Sequence, residues 1–307
     1  MEKNMNENFK NLKNRVVDSL NDTDLEKLNY LLSKIKDPTL VSGVGGSSIV
    51  ASFASKILLM KNRIITKCVE PRDIKYFKEF MNGYKNILAC SYSGANFGVE
   101  LAFDNNLKHY LLSSKKNNEN GIISLNYVCK DPEKSFISLA ATLIPCAILL
   151  NYYLDNDYQR IIDSTKEYDY NFDVNCDAFE IFTGFETLSA SKYLESTMVE
   201  SGIGIPIIHD KYSYCHGRST LSKTYNNIAI YFNLGTDLDK LLLSELTKYY
   251  KEVIVLDSKP TLLSEYNLLV KCMYLTKYIA SQKEKDLSGV DYNPIVKKLY
   301  RFNKGVW

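Results

Sequence analysis

Histidine is scarce in this chain: His109, His209 and His216 are the only three in 307 residues. The seven cysteines (Cys68, Cys90, Cys129, Cys146, Cys176, Cys215 and Cys272) never stand at Cys-x-x-Cys spacing. That excludes the usual zinc and dithiol motifs, and neither a metal nor a cofactor is expected. An odd number cannot all pair within one chain. Most of them sit in apolar segments, where Cys is usually a small buried hydrophobe, and a reducing cytoplasm is the natural expectation. Net charge is also nearly absent, since 38 Lys and Arg against 36 Asp and Glu leave +2. So small an excess argues against a nucleic-acid binder that relies on a basic field. The run SFISLAATLIPCAILL at 135–150 falls short of the roughly 20 apolar residues a membrane span needs. It also contains Ser135, Ser138, Thr142 and Pro145, so a buried helix is expected and no membrane contact. The N-terminal residues MEKNMNENFKNLKN lack the apolar stretch of a secretory signal.

What is present is ordinary globular material, 45% hydrophobic and 24% charged, which rules out wholesale disorder. Phe9, Leu12, Val16 and Leu20 recur at helical spacing, as do Leu25, Leu28, Leu32 and Ile35, with cap chemistry at Asp22-Thr23-Asp24 between them. Residues 1–37 are therefore expected to be helical. After Pro38 short apolar runs alternate with helical stretches. The strand-like runs lie at 39–45, 63–69, 86–93, 109–114 and 121–127, and a polar Asp/Tyr-rich passage at 155–176 breaks the rhythm. The alternation resumes with 179–185, 205–210, 227–235 and 253–258. Such alternation predicts parallel sheets flanked by helices. The reading is an α/β chain with a first domain at 38–156, a linker at 157–176 and a second domain at 177–307.

In open parallel sheets ligands bind beyond the carboxyl ends of the strands. Two strand-to-helix turns of the first domain have the composition for an anion. Gly43-Val44-Gly45-Gly46-Ser47-Ser48 offers glycines for close backbone approach and two hydroxyls at a helix start. Ser91-Tyr92-Ser93-Gly94-Ala95-Asn96 repeats the device. With no acid in either turn, a phosphate monoester is favoured. Each turn taken alone could equally be a packed glycine turn with a serine cap. A dinucleotide site is the rival, with Glu70 at the end of the next strand as the ribose-binding acid, but Ser48 stands where its third glycine belongs.

The second half carries the titratable groups. Glu200 ends an amphipathic helix, and His216 lies in PIIHDKYSYCHGR at 206–218. Moving a proton between adjacent sugar carbons needs one base that reaches both, and ring opening needs a second acid/base. A buried Glu and a His fit those roles. Locally, Glu200 is also just a helix-end charge and His216 just a loop histidine.

Together these motifs resemble the sugar isomerase (SIS) domain family. Gly43-Val44-Gly45-Gly46-Ser47 is similar to its G-M-G-G-S, and Ser91-Tyr92-Ser93-Gly94-Ala95-Asn96 to its S-Y-S-G-N-T, with Asn96 in place of a phosphate-binding Thr. Two-SIS-domain chains such as the bifunctional phosphoglucose/phosphomannose isomerases have about this length. The interval from Glu200 to His216 matches the Glu–His interval of the isomerase domain of glucosamine-6-phosphate synthase, and His216-Gly217 resembles its His-Gly-Pro. Val290-Asp291-Tyr292-Asn293-Pro294 resembles the segment leading to that domain's active-site lysine, which makes Lys298, or failing that Lys297, its counterpart here. Residues 39–300 are covered.

The resemblance implies two SIS-type, flavodoxin-like domains and an aldose–ketose isomerase or a deglycase acting on a phosphorylated sugar or amino sugar. Gly45, Gly46, Ser47, Ser48, Ser91, Ser93 and Asn96 would bind the phosphate, with Arg218 in the substrate site. Glu200 would shuttle the proton between C1 and C2, His216 would open the ring and Lys298 would steady the oxyanion. A homodimer with a shared site is expected. Departures from the pattern remain: Arg218 follows His216-Gly217, Thr197 replaces a lysine, and the isomerases' Pro-x-Arg element has no counterpart in DPEKSFISLAATLIP. They point away from glucose and mannose 6-phosphates and leave a non-catalytic sugar-phosphate sensor as the alternative. The second half offers only Asn233-Leu234-Gly235-Thr236 as a weaker anion turn.

Overall fold

A computed structural model describes residues 8–76, 78–130, 137–223, 226–289 and 295. The N-terminal segment forms the two expected helices, α1 (Leu12–Asp22) and α2 (Leu25–Ser33), the second capped by Asp24, whose side chain accepts from Lys27 N–H. The first sheet follows, with β1 (Thr39–Ser42), β2 (Thr66–Val69), β3 (Asn86–Cys90), β4 (Lys108–Ser113) and β5 (Ile122–Asn126) in spatial order β2-β1-β3-β4-β5. Every neighbouring pair is parallel. Its helices are α3 (Gly46–Ile57), α4 (Pro71–Tyr76), α5 (Phe97–Phe103) and α6 (Ala140–Tyr153). The apolar run at 135–150 supplies most of α6, which is buried on nearly every side. Among the described residues no helix is long and apolar enough to cross a membrane.

The second sheet contains β6 (Phe179–Thr183), β7 (Pro206–Asp210), β8 (Ile228–Asn233) and β9 (Glu252–Asp257), ordered β7-β6-β8-β9 and again all parallel. Its helices are α8 (Leu188–Ser201), α9 (Asp237–Tyr249) and α10 (Leu262–Gln282). The passage expected to be a plain linker contains a helix of its own, α7 (Tyr158–Ser164), with Ile161 buried. The aromatics after α7 explain why this polar stretch is held. Tyr170 Oη donates to Lys271 O at 2.9 Å, and Tyr278 Oη donates to Phe172 O at 2.6 Å, so the segment runs along α10.

Strand alternation divides the interior into three layers. Val41, Leu88, Cys90, Tyr110 and Leu112 of the first sheet share one continuous core with Phe179, Ile181, Ile230 and Leu256 of the second. Between the sheets lie α3, α6, α8 and α10, which pack against one another. The alternate residues point outward into two smaller cores, one around Leu40, Ile87 and Leu111, the other around Phe182, Tyr231 and Tyr250. A shared middle layer of helices thus joins the two α/β units.

Candidate functional site

Strands β1 and β3 are parallel neighbours, with Ser42 opposite Ala89, so the two hydroxyl-rich turns leave the first sheet side by side. The first turn depends on its glycines. A Cβ at Gly43 would stand 2.3 Å from Ser47 O, closer than atoms can approach. Gly46, the first residue of α3, has Ser138 Cβ only 3.0 Å from where its own Cβ would be, and Thr142 Oγ1 at 3.2 Å. Ser138 Oγ and Thr142 Oγ1 are 2.8 Å apart. A hydroxyl pair at the start of α6 therefore abuts the turn. Sequence reasoning missed this pair, because it lies in the run read as apolar helix and only tertiary packing brings it here.

The hydroxyls of Ser47 and Ser48 make no hydrogen bond among the described residues, whereas those of the second turn are partly engaged in shaping it. Ser91 is buried, and its Oγ accepts from Gly94 N–H at 3.1 Å and from Asn96 Nδ2 at 3.2 Å. Asn96 caps α5, its Oδ1 accepting from Val99 N–H at 3.0 Å. Ser93 Oγ accepts only a long bond, 3.5 Å, from Ala95 N–H. A cleft of about 830 Å³ opens beside this turn, lined by Ser93, Asn96, Glu100, His109, Lys115 and Lys116 among others. Glu70, the acid a dinucleotide would require, sits 3.6 Å from Arg72.

Glu200 lies in the last turn of α8, whose first turn is tied to α3. Glu265 Oε1 accepts from Lys56 Nζ at 2.6 Å, near the end of α3, and from Ser189 N–H at 2.8 Å, in the first turn of α8. One turn further along α8, Lys192 is within electrostatic reach of both Lys56 and Cys68, and Cys68 Sγ bonds back to Ala51 O on α3. These contacts tie the start of α8 to the last turns of α3. At about 1.5 Å per residue, Glu200 lies roughly 16 Å along α8 from Ser189, and Ser47 roughly 14 Å back along α3 from Lys56. Burial pushes the Glu200 carboxyl above its usual range, opposed by the hydrogen bond it accepts from Ser196 Oγ at 2.7 Å.

His216 is not brought to Glu200 within the chain. Glu200 precedes β7, whereas His216 is exposed in the turn that follows it, its N–H bonded to Ser213 O at 3.1 Å. The two side chains stand at opposite ends of the second sheet. Arg218 is also exposed and folds back on β7, with Nη1 donating to Ile208 O at 3.1 Å. Lys297 and Lys298 lie outside the described residues.

The weaker turn of the second half already holds an anion, the carboxylate of Asp239. Leu234 N–H (3.1 Å), Thr236 N–H (3.0 Å) and Thr236 Oγ1 (2.8 Å) donate to Asp239 Oδ2. Lys211 Nζ (2.7 Å) and Tyr231 Oη (2.8 Å) donate to Oδ1. Burial opposes ionisation of this group, but the Lys211 ammonium and the turn's donors outweigh it and hold the carboxyl down to about 2. Among the described residues no cluster of His, Cys, Asp and Glu is suited to a metal.

No family model and no curated protein matches this chain. Solved structures do match, over nearly all of it. The tagatose-6-phosphate ketose/aldose isomerase from Escherichia coli superposes with a TM-score of 0.71 at 14% identity, covering 94% of this chain and 96% of its own. The C-terminal domain of glucosamine-fructose-6-phosphate aminotransferase from Francisella tularensis gives 0.68 at 14% identity, covering 94% and 97%. Glucosamine-6-phosphate deaminase from Thermotoga maritima gives 0.66 at 18% identity, covering 89% and 94%. At such identities the likeness shows the fold: two parallel sheets flanked by helices, of the kind phosphosugar isomerases use.

Proposed function

We propose that this protein is an aldose–ketose isomerase, or a deglycase of related chemistry, acting on a phosphorylated sugar or amino sugar. The observation that carries the reading is the pair of hydroxyl-rich turns set side by side at the ends of β1 and β3, with a half-buried carboxylate, Glu200, in the last turn of a helix packed on the one that the first turn opens. Backbone N–H groups at the start of α3 and the hydroxyls of Ser47, Ser48, Ser91 and Ser93, with the Asn96 amide, would hold the phosphate. The sugar would then extend toward Glu200. As a carboxylate, Glu200 takes the proton from C2 of the aldose and returns it to C1 as the carbonyl moves from C1 to C2. The intermediate enediolate needs a donor for its oxygen, the role given to Lys298.

Ring opening needs a second acid/base, and His216 of the same chain stands away from Glu200. The exposed His216 can serve the site of a second copy, so the reading includes a homodimer in which each subunit lends its histidine. Glu200→Gln tests the mechanism, since the amide keeps the side chain's shape and loses its base. The variant should show no solvent-deuterium incorporation at C2 of a sugar phosphate while binding that sugar with nearly unchanged affinity. Normal exchange by Glu200→Gln would overturn the mechanism.

A sugar-phosphate sensor is the second reading, favoured by the separation of Glu200 and His216 within the chain and by Arg218 beside the histidine. A sensor would bind the same sugars, read by thermal shift against a panel of sugar phosphates, without exchanging the C2 proton.

A further inference from the structure

Lys56 and Glu265 form an ion pair that is almost completely removed from solvent, at 4% and 1% side-chain exposure. They come from opposite halves of the chain, 209 residues apart. As a device for stability the arrangement is poor. Both charges must be stripped of water, and a buried ion pair holds two helices no better than well-packed apolar side chains of the same volume would.

The pair can do something apolar packing cannot. The buried faces of α3 and α8 include small side chains, Ala51, Ser52 and Ala54 on one and Ser189, Ala190 and Ser191 on the other. Apolar contact is non-directional and sets the sliding register of two such helices only weakly. The Glu265 carboxylate is bonded at once to one side chain of α3 and to one backbone N–H of α8, which admits a single register. The far ends of these two helices carry the glycine–serine turn and Glu200.

We propose that Lys56 and Glu265 are positioning residues, which pin α3 to α8 so that Glu200 is held in register over the sugar seated on the first turn. This rests on the reading of Glu200 as the proton shuttle. A misplacement of about 1 Å can cost on the order of a hundredfold in rate without altering how a remote phosphate is held.

The test uses full-length protein with both charges removed, Lys56→Met with Glu265→Leu, alongside the single variant Glu265→Gln. The double variant should keep its melting temperature within a few degrees of the wild type. Its kcat for sugar-phosphate isomerisation should fall ten- to a hundredfold while KM stays within about twofold, a split that a merely structural pair would not produce. A folded double variant with wild-type kcat overturns the proposal. If the double variant does not fold, the same kcat comparison is read on Glu265→Gln, and an unchanged value is again fatal. If the wild type turns over no sugar phosphate, the enzymatic reading fails by itself. The pin is then judged by the crystal structure of the folded variant, where an unshifted residue 200 relative to the first turn would overturn it.

Discussion

A base that removes a proton from carbon must be ionised before it acts, so the pH at which Glu200 loses its own proton bounds the reaction from the acid side. Burial raises that pKa; exchange at C2 should therefore fall away as pH drops through a value above the ordinary glutamate range. Ser196 donates to the charged form. Ser196→Ala should move this limb to still higher pH, seen as a shifted profile of C2 exchange with an unchanged plateau. The glycines make a different demand. Gly43→Ala forces a Cβ onto Ser47 O and should destabilise the fold by roughly 1–3 kcal/mol, as overpacking does, measured from the urea midpoint. The glycines and serines of the two turns were visible in the sequence because turn chemistry is local. Ser138 and Thr142 were not, since nothing beside them in the chain marks a position against Gly46.

At the scale of elements, the alternation of short apolar runs with helical stretches was enough to anticipate both parallel sheets, because buried parallel strands are short and nearly continuously apolar. Segment 157–176 was harder. The stretch after its helix is held by tyrosine hydroxyls reaching the backbone alongside α10, contacts that hydrophobic periodicity does not register. The turn before α9 could have been read more fully. Thr236 and Asp239 form a reciprocal cap, and a cap acid at that spacing is a sign that the turn's donors are already taken. Removing it should be costly: Asp239→Ala leaves the Lys211 ammonium buried without its partner and should lose roughly 3–5 kcal/mol of stability. In the wild type the folded pKa of Asp239, about 2, lies below the ordinary aspartate value of 3.8. Its stabilisation is therefore complete above the unfolded pKa and is lost as pH falls through the folded one. Acid titration of the melting temperature should show that decline between about pH 4 and 2, absent in the variant.

For the molecule as a whole, one core runs through both sheets, so the halves should not melt separately. Calorimetry is expected to give a single transition whose calorimetric and van't Hoff enthalpies agree; two resolved transitions would contradict the shared middle layer. The shared-site reading makes a sharper demand. Glu200→Gln and His216→Ala should each be inactive alone. Mixed and allowed to exchange subunits, they should recover about a quarter of wild-type activity, since half the dimers are mixed and each has one intact site. The separation of Glu200 from His216 could not be read from spacing along the chain, which says nothing of which end of a sheet each residue reaches. That separation has an outcome for assembly. On the shared-site reading, a two-fold axis that sets each copy's histidine on the other's serine turns uses both contacts at once, so growth would close at a pair and not run on into a filament.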